Sequence, residues 1–386
     1  MATREQQHQK KKIWLEGINA ISVCEVTVSG VRRVLMFVGE THFPFPGLSF
    51  QTVKGCSSIG EDHEKWDLRQ LVIFLQDLLP PQKKLDIFLE HTFPLGKGQK
   101  LEGYPFRNKG DSFTSFLTSN YSQQLILKGS PKSTHYAPSQ KEKNKLRVHN
   151  IDIRDGLGLT RHLQGLDKSY ERFLPIMILH YLEWKRDRGS VSSLELFFDE
   201  FLKDTELQGP ENILERWKVL LKLEKQWQGI QDTFWKDSLE RWLMDMSSTF
   251  VKELKEFQEH YRKGLHSYLQ VSKSKRFGYL QIYMNIFINI HKTMLSKLVD
   301  FYCLCRVFRT FSDGKTTEFG LIVTGYAHFF NMIQFLRSVG KEYGTPFEVG
   351  GSVTKHFFDL CVEATTPLTV IANLFSSSRQ NKEGLL

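Results

Sequence analysis

Three short apolar runs constrain what this chain can fold into: VLMFV at 34–38, LDIFL at 85–89 and GLIVTG at 320–325. Each is too short for a core helix, and each is rich in branched or aromatic residues. Near-continuous runs of that length read as strands buried on both faces, the pattern of a mostly parallel sheet covered by helices. ISVCEVTV and VRRVLMFV flank Ser29-Gly30, so 19–38 reads as a hairpin whose second arm is the first buried run. KWDLRQLVIFLQDLL, 65–79, has helical spacing at Leu68, Leu71, Leu75 and Leu78, and Pro80-Pro81 ends it. Strand, helix and strand in that order make a βαβ unit with parallel strands. LRVHNIDIR, 146–154, is a further strand that ends in Asp152 and Arg154. The expected fold class is α/β, a Rossmann-like, mostly parallel sheet.

The pattern changes between 166 and 312, where helix follows helix. Leu239, Leu243, Met246, Phe250, Leu254, Phe257, Tyr261, Leu265 and Tyr268 step by three or four and predict one long helix over 232–270. Leu280, Tyr283, Phe287, Ile290, Met294, Leu298 and Phe301 predict a second over 277–311. The domain reading is a tail at 1–12, an α/β core from 13–165 and 313–375, a helical insertion or cap at 166–312, and a tail at 376–386. Within the core, 96–146 is a long excursion with a short helix near 111–127. A long loop covers 43–63. EFGLIVTG leads into GYAHFFNMIQFLRSVG, a helix ending at Gly340, and a last helix is expected near 354–363.

The chain has 386 residues and 40% hydrophobic content, enough for a large core. Much of its formal net charge of +9 sits in tails and loops, such as KKK at 10–12 and KEKNK at 141–145. With no dense basic stripe, the charge argues against nucleic-acid binding. Five cysteines, an odd and sparse set, imply no disulfide framework and a reduced compartment. The polar N-terminus carries no signal-peptide pattern, and no apolar stretch reaches the roughly 18–20 residues that span a bilayer. The expectation is a soluble, intracellular protein without a membrane span.

Polar residues collect where the apolar runs stop. GETH places Glu40 and His42 after the first run, LEHTF places Glu90 and His91 after the second, and GYAH places His328 after the third. The carboxyl ends of the strands in an open parallel sheet line one crevice, and ligands bind there. The candidate site is therefore Glu40, His42, Glu90, Arg154 and His328. Two chemistries fit. His42, His328, Glu40 and Glu90 can hold a divalent metal such as zinc, manganese or iron, whose bound water is the nucleophile. Alternatively, a histidine oriented by a glutamate acts as general base on water without metal. Arg154 pairs with a carboxylate or stabilises an anion. Asp152 reads as its salt-bridge partner, and His91 alternates away from Glu90.

GETH at 39–42, the glutamate closing LDIFLE and GYAH at 325–328 resemble the erythromycin esterase/ChaN/Tiki superfamily. That group carries an early and a late GxxH tetrad on an α/β sheet, with a glutamate and an arginine between. The resemblance implies a site of Glu40, His42, Glu90 and His328, with Arg154, Arg161 or Arg306 as the arginine. It spans short anchors at 34–42, 85–93 and 319–336. Members include esterases, metal-dependent peptidases and haem-binding lipoproteins, so the substrate class does not transfer.

The expected function is hydrolysis of an ester or amide bond in a small-molecule or peptide substrate. A haem- or metal-binding protein without enzymatic activity is one alternative, and a scaffold that uses the helical block to bind another protein is a second. Oligomeric state is not legible in the sequence.

Overall fold

The computed structural model describes residues 12–40, 56, 59–60, 63–80, 82–90, 126–127, 136–137, 146–151, 215, 218, 223–269, 273–311, 314–354 and 361–383. The chain divides into two compact units, Met1–Ile151 with Lys315–Leu386, and Asp152–Gly314. In sequence the second unit lies between two strands of the first.

Chain order in the first unit begins β1 (Ile13–Glu16), β2 (Ala20–Val28), β3 (Val31–Glu40), β4 (Glu64–Trp66), α1 (Leu68–Leu78) and β5 (Leu85–Leu89). It continues through β6 (Ile126–Leu127), β7 (Tyr136–Ala137) and β8 (Leu146–Asn150). The second unit contributes α2 (Leu223–Trp227), α3 (Thr233–Leu269) and α4 (Lys273–Phe308). The first unit then resumes with β9 (Phe319–Gly325), α5 (Tyr326–Tyr343), β10 (Glu348–Val353), β11 (Cys361–Glu363) and α6 (Thr365–Glu383).

The main sheet has six strands in the order β10-β2-β3-β9-β5-β8. β3, β9, β5 and β8 are all parallel, while β2 runs antiparallel to both β3 and β10. The fold is α/β with a mostly parallel sheet. Burial explains the apolar runs: every residue of β5 and β9 is buried, because both strands are interior. On one face, Met36, Val38, Ile87, Leu89, Leu321 and Val323 join Leu71 and Leu75 of α1 and Leu368 and Ile371 of α6. Each such fully buried side chain stabilises the fold by about 1.5–3 kcal/mol. The other face carries α5, whose Phe329 packs on Gly39.

β1 lies between β11 and β4 in a three-stranded sheet. Helix α1 starts at Leu68, later than the spacing predicts. Asp67 caps it through a reciprocal pair with Gln70, and Glu64–Trp66 forms β4 instead. Helix α5 runs past Gly340 to Gly344, which takes the left-handed conformation at φ 73°. Gly340 is glycine because a Cβ there would meet the Thr345 carbonyl oxygen at 2.8 Å. Within the helix expected near 354–363, residues 361–363 form β11, Thr354 follows β10 and donates its N–H to the Asn19 carbonyl, and 355–360 lie outside the described residues. Of 111–127, only Ile126 and Leu127 are described, and they pair with β7 as strand. Residues 365–383 are helical, so α6 extends well into the expected tail.

The cysteine expectation is overturned. Cys56 and Cys361 form a disulfide across 305 residues, with Cα atoms 5.1 Å apart. Spacing hides it because its two ends meet only in the folded chain: Cys361 opens β11, and Cys56 precedes β4. Cys24, Cys303 and Cys305 are buried and outside any disulfide.

In the second unit, α3 and α4 have 37 and 36 residues. They pair antiparallel, as ring contacts between Trp235 and Phe308 (4.4 Å) and between Tyr261 and Tyr283 (5.2 Å) show. The stripe from Leu239 to Tyr261 is buried, as its spacing predicts. No helix among the described residues is long and apolar enough to cross a membrane.

Candidate functional site

Strand direction makes the crevice. From β5 the chain proceeds to β8 on one side, whereas from β9 it proceeds through α5 to β10 on the other. β5 and β9 are neighbours, so their carboxyl ends form the switch point at which open α/β sheets bind ligands.

Glu90 and His328 stand there. The Glu90 N–H donates to the Val323 carbonyl at 3.1 Å, which continues the ladder one residue beyond β5 and sets Glu90 beside Thr324. His328 lies in the first turn of α5. Its Nε2 is 3.0 Å from Glu90 Oε1, and the Gly325 N–H donates to Glu90 Oε2 at 2.8 Å. Both residues are buried, at 8% and 5% exposure. Gly325 is the N-cap of α5 and has no side chain to cap the helix. The Glu90 carboxylate accepts instead from the N-cap's own N–H, one of the orphan donors at the start of the helix, and the positive end of the helix favours its charge. With Glu90 ionised, Nε2 carries the proton and donates, which fixes the imidazole's tautomer and orientation.

Glu40 ends β3, half-buried, in register with Gly325. Gly325 therefore lies between the two carboxylates, pairing with Glu40 through the ladder and with Glu90 through its N–H. Alternation puts Glu40 on the face of Met36 and Val38, while Glu90 follows Asp86 and Phe88 on the opposite face. His42, His91, Asp152, Arg154 and Arg161 lie outside the described residues. Arg306 belongs to the second unit, in the last turn of α4. The fold thus brings Glu90 and His328 into direct contact, with Glu40 one strand away.

A second polar group occupies the same face, lower in the sheet. Asp86 is fully buried and accepts from Arg147 Nε at 2.5 Å and Arg147 Nη2 at 2.6 Å. His149 Nε2 is 2.9 Å from Asp86 Oδ1, and the His149 ring stacks on Phe88 at 4.6 Å. The Arg147 guanidinium also donates to the Thr316 carbonyl at 2.9 Å. Sequence reasoning missed this cluster, although its signal is present. Asp86 interrupts an apolar strand on the Glu90 parity, and Arg147 and His149 repeat at period two in LRVHN.

Among the described residues, no group of three or more His, Cys, Asp or Glu side chains is arranged to hold a metal ion. Comparison with protein-family models, with curated proteins and with solved structures gives no match. The chemistry available to the described site is that of an imidazole held by a carboxylate beside a helix N-terminus.

Proposed function

We propose that this chain is a hydrolase of ester or amide bonds, with His328 as general base and Glu90 as the carboxylate that orients it. The observation that carries the reading is the 3.0 Å contact between Glu90 and His328 at the β5/β9 switch point. A histidine so held accepts a proton from water as the water attacks a carbonyl carbon, and returns it to the leaving group. The paired GxxH tetrads and their resemblance to the erythromycin esterase/ChaN/Tiki superfamily support the same class. Glu40, His42 and Arg154 belong to the proposal as further site residues.

The direct Glu90–His328 bond favours the general-base form over a metal-assisted one. Each Glu90 oxygen already holds a donor within the protein. The test is a panel of chromogenic esters, lactones and anilides offered to the wild type, Glu90→Gln and His328→Asn. Turnover by the wild type that drops roughly 10²–10⁴-fold in His328→Asn, the range for loss of a general base, supports the proposal. Equal turnover in all three proteins refutes it. Elemental analysis of the same preparations decides the metal form: zinc, manganese or iron bound by the wild type and lost in His328→Asn places the histidine on an ion.

A further inference from the structure

The β9 residue next to Glu90 carries a polar atom that the Glu90–His328 bond does not use. Thr324 is 1% exposed, and its Oγ1 has no hydrogen-bond partner among the described residues. Gly39 flanks it on β3. Glu90 flanks it on β5, through the ladder bond to Val323. Gly39, Thr324 and Glu90 therefore form one row across the carboxyl edge, with side chains on the face that α5 covers. Gly39 adds no side chain of its own to that row, where Phe329 packs against it, and His328 lies in the first turn of the overlying helix, four residues after Thr324. A buried hydroxyl without a partner is destabilising, and native structures rarely leave one unexplained. Water is stable in such a place when it finds two to four polar partners.

We infer that Thr324 seats a water molecule beside His328, and that this water is the nucleophile of the site. The nucleophilic role rests on the hydrolase reading above. The Thr324 hydroxyl donates to the water oxygen, and the His328 imidazole takes one of its protons. The remaining lone pair attacks the carbonyl carbon of an ester or amide. One O–H bond of water breaks as the new C–O bond forms. Collapse of the tetrahedral intermediate breaks the bond to the leaving alcohol or amine, which receives the proton from His328. No further reactant is needed. Thr324 acts here as a positioning residue.

The test compares Thr324→Val, which keeps the branched shape, with Thr324→Ser, which keeps the hydroxyl. Each is assayed in the full chain on the best ester of the panel, and high-resolution crystal structures are determined for the wild type and Thr324→Val. A positioned nucleophile predicts that Thr324→Val loses roughly 10- to 100-fold in kcat with KM changed less than about twofold. Thr324→Ser then retains wild-type kcat within about threefold. The wild-type crystal shows a water about 2.7–3.0 Å from Thr324 Oγ1 and within reach of His328, and the valine variant lacks it. Full kcat in Thr324→Val, with a raised Tm from removing an orphan hydroxyl, overturns the inference while leaving the hydrolase reading intact. A water seen at Thr324 in a protein that turns over no substrate keeps the water seat and removes the hydrolase reading.

Discussion

Phe329 lies directly against Gly39: a Cβ built on Gly39 would come within 3.0 Å of both Cβ and Cγ of Phe329. The glycine of the first tetrad is thus the seat of the helix that follows the second. Its role is steric, since it lets α5 approach β3 closely enough for His328 to reach Glu90. Gly39→Ala is expected to cost about 1–3 kcal/mol by overpacking. Trimming Phe329 makes room for the added methyl, so the Gly39→Ala/Phe329→Ala double variant should lose less than the sum of the two singles. Urea melts of the four proteins measure the difference, and strict additivity would sink the explanation.

The Asp86 cluster is expected to matter more for stability than any exposed ion pair. Asp86 is fully buried, so Asp86→Ala removes the carboxylate that Arg147 and His149 share and should cost about 3–5 kcal/mol. Lys83 and Glu318 also pair closely, but their side chains are 28% and 35% exposed. Glu318→Gln should cost less than about 1 kcal/mol. Comparable losses in the two variants would show that burial does not govern the difference.

Thiol counting checks the disulfide. Denatured, unreduced protein should titrate three thiols, and reduced protein five. Restricting the unfolded chain through so long a loop is expected to contribute about 2–5 kcal/mol, lost in Cys56→Ser/Cys361→Ser or on reduction. Five thiols before reduction would refute the bond.

The free thiols give an alkaline slope. Burial pushes the Cys24 thiol far up from its ordinary 9.0, and the Glu348 carboxylate adds to the shift. Burial likewise raises Cys305. Above about pH 9 the unfolded chain sheds these protons and the folded chain keeps them. The stabilisation is complete below that pH and declines as pH rises toward the folded values, by up to about 1.4 kcal/mol per pH unit for each thiol. Cys24→Ala should flatten the decline between pH 9 and 10.5 relative to wild type, as read from chemical melts at stepped pH. An unchanged slope would show that another group carries it.

Much of the sheet is legible in the sequence, because burial on two faces leaves its mark residue by residue. The runs ending at Val38, Leu89 and Gly325 read as interior strands, and the three-to-four spacing from Leu239 to Tyr261 predicts a buried helix face. Glu90 and His328 stand out for the same reason, as titratable groups at the abrupt ends of apolar runs. What the sequence could not determine depends on which strand lies beside which. The placement of β9 between β3 and β5 aligns Thr324 with Glu90 and puts Gly325 within reach of its carboxylate. Asp86, Arg147 and His149 look like unrelated polar residues until β5 and β8 are in register. The bond between Cys56 and Cys361 likewise waits for β11 to reach its place beside β1. Periodicity records the environment of each residue along the chain. Pairing across 235 residues, as between Gly325 and Glu90, leaves no local trace, because it is fixed only when the strands pack.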